Sequence, residues 1–211
     1  MNSKPNNLPH IRECTNPACV FRFPVTTFDK GFERCPNCGE STKFIIAFPE
    51  HPITTQCALP ELRISLLLDN LRSVFNVGSI FRSADGCGIV EHLYLCGTTP
   101  TPKHPKMAKT SLGAEKAVPW SYHRNALRLA QQLQSSSVAL IALEMTNASK
   151  PFRSDIQKNN PHNSVFIFGN EVVGIDPELL EIADDHLHLP MHGIKESLNV
   201  AVAASIVCYS I

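Results

Sequence analysis

The chain has 211 residues, 43% of them hydrophobic, with 19 Lys+Arg against 19 Asp+Glu. The apolar fraction suffices for a packed core and excludes a disordered chain, and the zero formal net charge excludes a globally basic nucleic-acid binder. No apolar run approaches the roughly 20 residues of a membrane span, and MNSKPNNLPH lacks the apolar segment of a secretory leader, so a cytoplasmic, reducing compartment is expected.

The first element in chain order is built on cysteine. Cys14, Cys19, Cys35 and Cys38 form two close pairs, each on a tight turn containing Asn16-Pro17 or Pro36-Asn37. Such turns aim two thiolates at one tetrahedral ion, so residues 1–48 are expected to form a small zinc ribbon. Disulfides are the alternative, disfavoured in a reducing compartment; without some staple, so short a segment cannot hold a core. The intervening VFRFPVTTFDKGFER alternates like a hairpin. Arg12, Arg22, Lys30 and Arg34, with Phe21, Phe23, Phe28 and Phe32 among them, could meet RNA; for most of the phenylalanines, packing of the hairpin is the preferred reading. Cys57, Cys87, Cys96 and Cys208 lie among apolar neighbours and read as small core residues. Residues 49–61, with three prolines, read as a linker.

From residue 62 onward, short apolar strands alternate with helical patterns. RISLLLD, VEHLYLCG, AVPWSYH, VALIALEM, SVFIFG and HLHLP are strand-like; NVGSIFRSADGCG, NALRLAQQLQ, DPELLEIA and the last apolar run are helical. The alternation predicts an α/β domain over 62–211, with a mostly parallel sheet and helices on both faces. Ligands of such sheets sit beyond the carboxyl ends of the strands, which singles out the loops after Asp69, Gly97, Glu144, Gly169 and Pro190. Two glycine patterns fail as nucleotide signatures. Gly86-Cys87-Gly88 closes a helix and has Glu91 where a third glycine belongs. Gly169 and Gly174 have P-loop spacing but are followed by Ile175-Asp176 in place of Lys-Ser/Thr. Charge is unevenly spread: six Lys/Arg against Glu115 alone from Lys103 to Arg128, and seven acids against Lys195 alone from Glu171 to Glu196. The basic stretch can hold phosphates, and a solvated face balanced by an acidic one fits equally well.

Three constellations follow strands. In the first, Asn76 is expected to cap a helix with the buried stripe Val77, Ile80, Phe81 and Ala84. Gly78, Arg82 and Asp85 share another face, where Gly78 clears the approach to the guanidinium. In the second, Gly169 lets backbone lie close to a ligand, Glu171 follows in the loop, and Asp176 caps a helix with Pro177 at its first position. In the third, PMHGIKESLNVAVAAS, Ser197 as N-cap lacks a capping-box partner at Val200 and leaves Asn199, a poor helix former, inside the helix.

N-x-G-x-x-x-R-S-A-D, F-G-N-E-x-x-G and P-M-x-G-x-x-x-S-L-N-V-A-V-A, in this order and together with KTSLGAEKAVPW, closely resemble the SpoU (TrmH-like) branch of the SPOUT methyltransferases. The resemblance runs from about Arg63 to Ile211 and leaves the ribbon outside it as an added module. It implies transfer of the methyl group of S-adenosylmethionine to a ribose 2′-hydroxyl of tRNA or rRNA. The family acts as homodimers whose carboxyl-terminal segment forms a deep trefoil knot, a threading that sequence physics alone does not propose. Catalytic positions implied are Asn76, Arg82, Glu171, Ser197 and Asn199. The implied cofactor site is Leu143, Glu144, Gly169, Asn170, Leu189, Met191, Ser197, Leu198 and Asn199, with the Pro190–Asn199 loop wrapping the adenosine. Glu171 would orient Arg82 or Asn76 rather than act as a base. Arg82 would be either the base or, since a guanidinium titrates above about 12, an electrostatic stabiliser of the developing alkoxide. The transfer itself needs no metal. A rival reading is a catalytically inactive RNA-binding protein of the same fold, which would be expected to lack Arg82, Asn199 or the glycines around Glu171; all are present.

Overall fold

In the computed structural model, residues 8–26, 29–49, 62–152 and 163–211 are described, and the chain divides into two compact units, Met1–Cys57 and Ala58–Ile211. The linker reading, apart from Pro49, and the side chain of Phe28 fall outside the described residues.

The first unit is a three-stranded antiparallel sheet in the order β2-β1-β3, from β1 (His10–Cys14), β2 (Arg22–Val25) and β3 (Thr42–Ala47). The segment read as a hairpin supplies β2 only; its partner is β1, which precedes the first cysteine pair, with Arg12 opposite Phe23. The phenylalanines pack as expected: Phe21 against Phe23 with ring centroids 5.9 Å apart, and Phe32 edge-on to His10 at 5.8 Å. Most of the cations here have internal partners. Arg12 donates to the Thr42 hydroxyl and carbonyl, both at 2.7 Å, and lies over the Phe32 ring. Arg22 and Lys43 both approach Glu13, at 3.9 and 3.1 Å.

The second unit is a seven-stranded sheet in the order β6-β5-β4-β9-β7-β10-β8, parallel at every pairing. Its strands are β4 (Ile64–Asp69), β5 (Val90–Cys96), β6 (Trp120–His123), β7 (Ala139–Leu143), β8 (Lys150–Pro151), β9 (Ser164–Phe168) and β10 (Asp185–His188). The alternation of strand side chains divides the core. Leu66, Leu68, Phe166 and Phe168 pack under α1 (Val74–Cys87), α2 (Met107–Ser111) and α5 (Val200–Ser210). Leu67, Val165 and Ile167 pack under α3 (Ala126–Ser135) and α4 (Pro177–Ile182). Both faces are covered, which is why the central strands read as unbroken apolar runs. Strands β4 and β9 are neighbours at the centre, so the loops carrying the first two motifs leave the sheet side by side.

Two local expectations are corrected, and the place of Asn199 is explained. Helix α1 begins one turn earlier than Asn76: Ser73 is the N-cap, its hydroxyl accepting from the Asn76 N–H, and Val74 joins the predicted stripe in the core. Gly78 faces inward, where a Cβ would overlap the Thr110 hydroxyl; the glycine admits α2 against α1 and does not clear a path to Arg82. Asn199, not Ser197, caps α5, its side-chain oxygen accepting from the N–H of Ala201 at 2.9 Å and of Val202 at 3.4 Å. An asparagine at that place is a preferred N-cap rather than a poor interior residue.

Candidate active site

The loop after β9 is folded tightly on itself. Asn170 and Gly174 exchange two backbone hydrogen bonds of 2.9 Å, and the Asn170 side chain accepts from the N–H of Val172. The turn closes directly over Gly169, where a Cβ would overlap the backbone of Gly174 and Ile175. Glu144, at the end of β7, braces the far side by accepting from the Ile175 N–H at 3.2 Å. Asn170 also donates to the Asn70 carbonyl at 2.7 Å, tying this loop to the one after β4. Two residues of this brace were not singled out from sequence. Buried Asp69 accepts from the Asp176 N–H, and Asn70, at φ +55°, accepts from the Thr98 N–H. The one available signal was an Asp-Asn pair ending a buried strand, since Asn is among the few residues that tolerate positive φ.

The turn presents Glu171 to the start of α1. Its carboxylate accepts from the N–H of Arg72 at 2.9 Å, from that of Ser73 at 3.1 Å and from the Asn76 amide at 2.8 Å. Asn76 in turn accepts from the Asn199 amide at 3.0 Å. A chain of hydrogen bonds therefore joins all three motifs: Asn199 to Asn76 to Glu171. Partial burial works to raise the Glu171 pKa, but the donors from Arg72, Asn76 and Ser73 outweigh it and hold the carboxyl below its ordinary value. A depressed folded-state pKa contributes stability that is complete above the ordinary value of 4.5 and is lost as pH falls through the lower folded value. Glu171→Gln is accordingly expected to be less stable than the wild type at neutral pH. In thermal melts taken from neutrality downward, the deficit should shrink as pH falls below 4.5. A constant deficit across that range would contradict the assignment.

Beyond the carboxyl ends of β7, β9 and β10 lies a cavity of ≈ 470 Å³. Leu143, Glu144, Gly169, Asn170, Leu189, Met191, Ser197, Leu198 and Asn199 all line it, as does Glu171. Ser197 is exposed, with no hydrogen-bond partner among the described residues. Arg82 is elsewhere. It opens, exposed and without an ion pair among the described residues, on a second cavity of ≈ 320 Å³ between α1 and α5, with Ser79, Ser83 and Tyr209. The structure thus brings Asn76, Glu171 and Asn199 into contact, puts Ser197 on the same cavity, and keeps Arg82 apart, without a hydrogen bond to Glu171.

In the first unit the sulfurs of Cys14, Cys19, Cys35 and Cys38 lie within 4.8 Å of one another, with Cys14–Cys38 at 3.5 Å and Cys19–Cys35 at 3.9 Å. A disulfide needs about 2.0 Å. A tetrahedral zinc with bonds of about 2.3 Å separates its sulfurs by about 3.8 Å, which these distances fit. The Asn37 amide donates to Cys19 at 3.3 Å and the Asn16 N–H to Cys14 at 3.4 Å, the supporting bonds a thiolate cluster needs.

The fold and site define an α/β domain with a ligand cavity at the carboxyl edge of a parallel sheet. The chain belongs to the SpoU rRNA Methylase family, whose profile matches residues 63–209. It is similar to the Bacillus subtilis 23S rRNA (guanosine(2553)-2′-O)-methyltransferase RlmP, 30% identical over 162 residues, which are 74% of this chain and 63% of that one. The A. aeolicus TrmH/SpoU tRNA modifying enzyme superposes with a TM-score of 0.62 at 27% identity, over 71% of this chain and 74% of the other. The AdoMet-bound rRNA methyltransferase from Sinorhizobium meliloti shares the fold, with a TM-score of 0.63 at 24% identity over 72% and 57% of the two chains. The chain therefore spans less than two thirds of the Bacillus enzyme's length.

Proposed function

We propose that this chain is an S-adenosylmethionine-dependent RNA methyltransferase acting on a ribose 2′-hydroxyl of tRNA or rRNA. The observation that carries the reading is the hydrogen-bonded chain Asn199–Asn76–Glu171, which ties the first motif to a cavity lined by the second and third and by the end of β7. S-adenosylmethionine, when bound, supplies a sulfonium methyl as electrophile. The apolar side chains of Leu143, Leu189 and Met191 suit an adenine; Gly169, expected to let backbone approach the ligand, instead lets the Asn170–Gly174 turn close against it, since its missing Cβ would point at Gly174 and Ile175. Glu171, held ionised with its lone pairs engaged, orients Asn76 and is not a base. Asn199 is fixed twice, by its cap to α5 and by Asn76, so its remaining amide hydrogen is held ready for a polar group in the cavity, which the Ser197 hydroxyl also lines. Arg82, on its separate cavity, is proposed to supply positive charge to a phosphate of the bound RNA.

The remaining parts of the reading rest on other supports. A deep trefoil knot at the carboxyl terminus agrees with family membership and with the return of α5 from the far strand β10 to pack on α1. A homodimer is supported by apolar side chains left outward on those helices: Phe75 is 61% exposed and Tyr209 64%. The first unit is proposed to be a zinc ribbon, and the protein to act in the cytoplasm; among the described residues no helix is long and apolar enough to cross a membrane. Calorimetry with S-adenosylmethionine tests the central reading. The wild type is expected to bind it, and Gly169→Ala to lose binding by at least about tenfold, because the loop must open to admit a methyl against backbone. Absence of binding by the folded wild type would favour an inactive RNA-binding protein.

A further inference from the structure

The sequence reads as one basic stretch from Lys103 to Arg128, but the fold divides it in two. The connection between β5 and β6 packs Met107, Ala114 and Val118 into the core beneath α1, so Lys103, Lys106, Lys109 and Lys116 belong to the α1 side of the sheet. Arg124 and Arg128 enter α3, whose Ala126 and Leu129 pack on the opposite face. All four lysines are exposed, and none has an ion pair or a side-chain hydrogen bond among the described residues. The single acid of the stretch, Glu115, is turned inward: it is 9% exposed and accepts from the buried Ser111 hydroxyl. No carboxylate of the connection is left on the surface to offset the lysines.

This connection is anchored to the same residues that build the site. Thr98 donates to Asn70, whose carbonyl accepts from the cavity residue Asn170. Thr99 accepts from the Leu71 N–H and donates to the Leu68 carbonyl. Midway along it Thr110, whose hydroxyl donates to the Met107 carbonyl at 2.8 Å, also lies 3.3 Å from the Val74 carbonyl in the first turn of α1, the turn that holds Asn76 and adjoins the Glu171 contacts. Gly78 admits this approach by lacking a Cβ. The lysines are therefore carried on a scaffold rigidly joined to Asn76 and Glu171.

We propose that the four lysines of the β5–β6 connection, and not Arg124 and Arg128 at the entry to α3, are the docking face for the phosphate backbone of the RNA. The proposal rests on the function proposed above for its choice of polyanion. Each lysine that neutralises a phosphate releases a counterion, and for single-stranded segments the affinity then falls with log salt at a slope of about 0.7 per contact. This component is independent of sequence, so unfractionated tRNA serves as the probe. The triple variant Lys103→Ala, Lys106→Ala, Lys109→Ala is expected to reduce the salt slope of tRNA binding by about 2. At 0.1 M salt that is an affinity loss of about a hundredfold, shrinking toward 1 M salt. S-adenosylmethionine binding should be unchanged, and the methylation rate at saturating RNA should be retained. Arg124→Ala with Arg128→Ala is expected to leave the slope near that of the wild type. A triple variant with the wild-type slope, or a slope loss belonging to the arginine pair, overturns the proposal. A wild type that binds tRNA with the full slope but transfers no methyl group to any RNA overturns the function and leaves the docking face standing.

Discussion

Arg82→Ala is expected to lower the methylation rate by at least about a hundredfold while leaving S-adenosylmethionine affinity nearly unchanged, the scale for removing one preorganised electrostatic group. The structure strengthens the second half of that expectation, because Arg82 lines the cavity between α1 and α5 and not the one formed by the motif loops. Six residues of helix separate it from Asn76, about 9 Å along the axis and about 120° around it. The side chains that share its cavity carry hydroxyls: Ser79, Ser83 and Tyr209 line it, and Ser83 lies 2.6 Å from Ser205. A guanidinium with no carboxylate paired to it among the described residues suits the proposed role of holding an oxyanion better than that of a base. Arg82→Lys should rescue little, since a point charge cannot make the paired contacts of a planar fork. Single-turnover transfer to the cognate RNA, beside calorimetry of the cofactor, measures both halves. Near-normal turnover in Arg82→Ala would remove the residue from the mechanism, and loss of cofactor binding would mean that the two cavities are coupled.

How much of this could be read from the sequence depended on whether a feature was local. The stripe Val77, Ile80, Phe81, Ala84 is a matter of helical period and is buried as expected. So are the apolar strands, which needed only two covered faces to be unbroken. The caps were harder. Ser73 and Asn76 are both good N-cap residues, and only the burial of Val74 decides that the helix starts at the first of them. At α5, the clue was already visible as a contradiction: an asparagine that fits no helix interior fits a cap, and the helix begins at Val200. Gly78 was recognised as unusual but given the wrong neighbour, because α2 has five residues and no periodic signature of its own. Two-residue β8 was invisible for the same reason. The contact of Glu171 with Asn76 spans 95 positions of chain, and that of Asn76 with Asn199 spans 123; nothing local encodes either. They were reachable because motif resemblance carries tertiary information that periodicity lacks. Arg82's separate cavity, by contrast, was implicit in helix geometry all along.

Removing one cysteine of the first unit is expected to unfold that unit while sparing the rest. The reason lies in its core. Among its described residues the buried hydrophobic side chains are Cys14, Val25 and Cys35, so a single aliphatic residue is all that would remain beside the sulfurs. A segment of this size with so little apolar burial among its described residues needs a staple to stay folded. Zinc bound by four thiolates contributes about 10–16 kcal/mol in comparable small sites, enough to hold such a fold alone. Elemental analysis should therefore give one zinc per chain, and Cys35→Ser or a strong chelator should make residues before Cys57 sensitive to protease. The second unit has its own core, with Phe81, Phe166 and Phe168 fully buried, and should keep its thermal transition and its cofactor affinity. Protein purified without chelator that holds no metal would defeat the prediction, as would a Cys35→Ser variant whose first unit still resists protease.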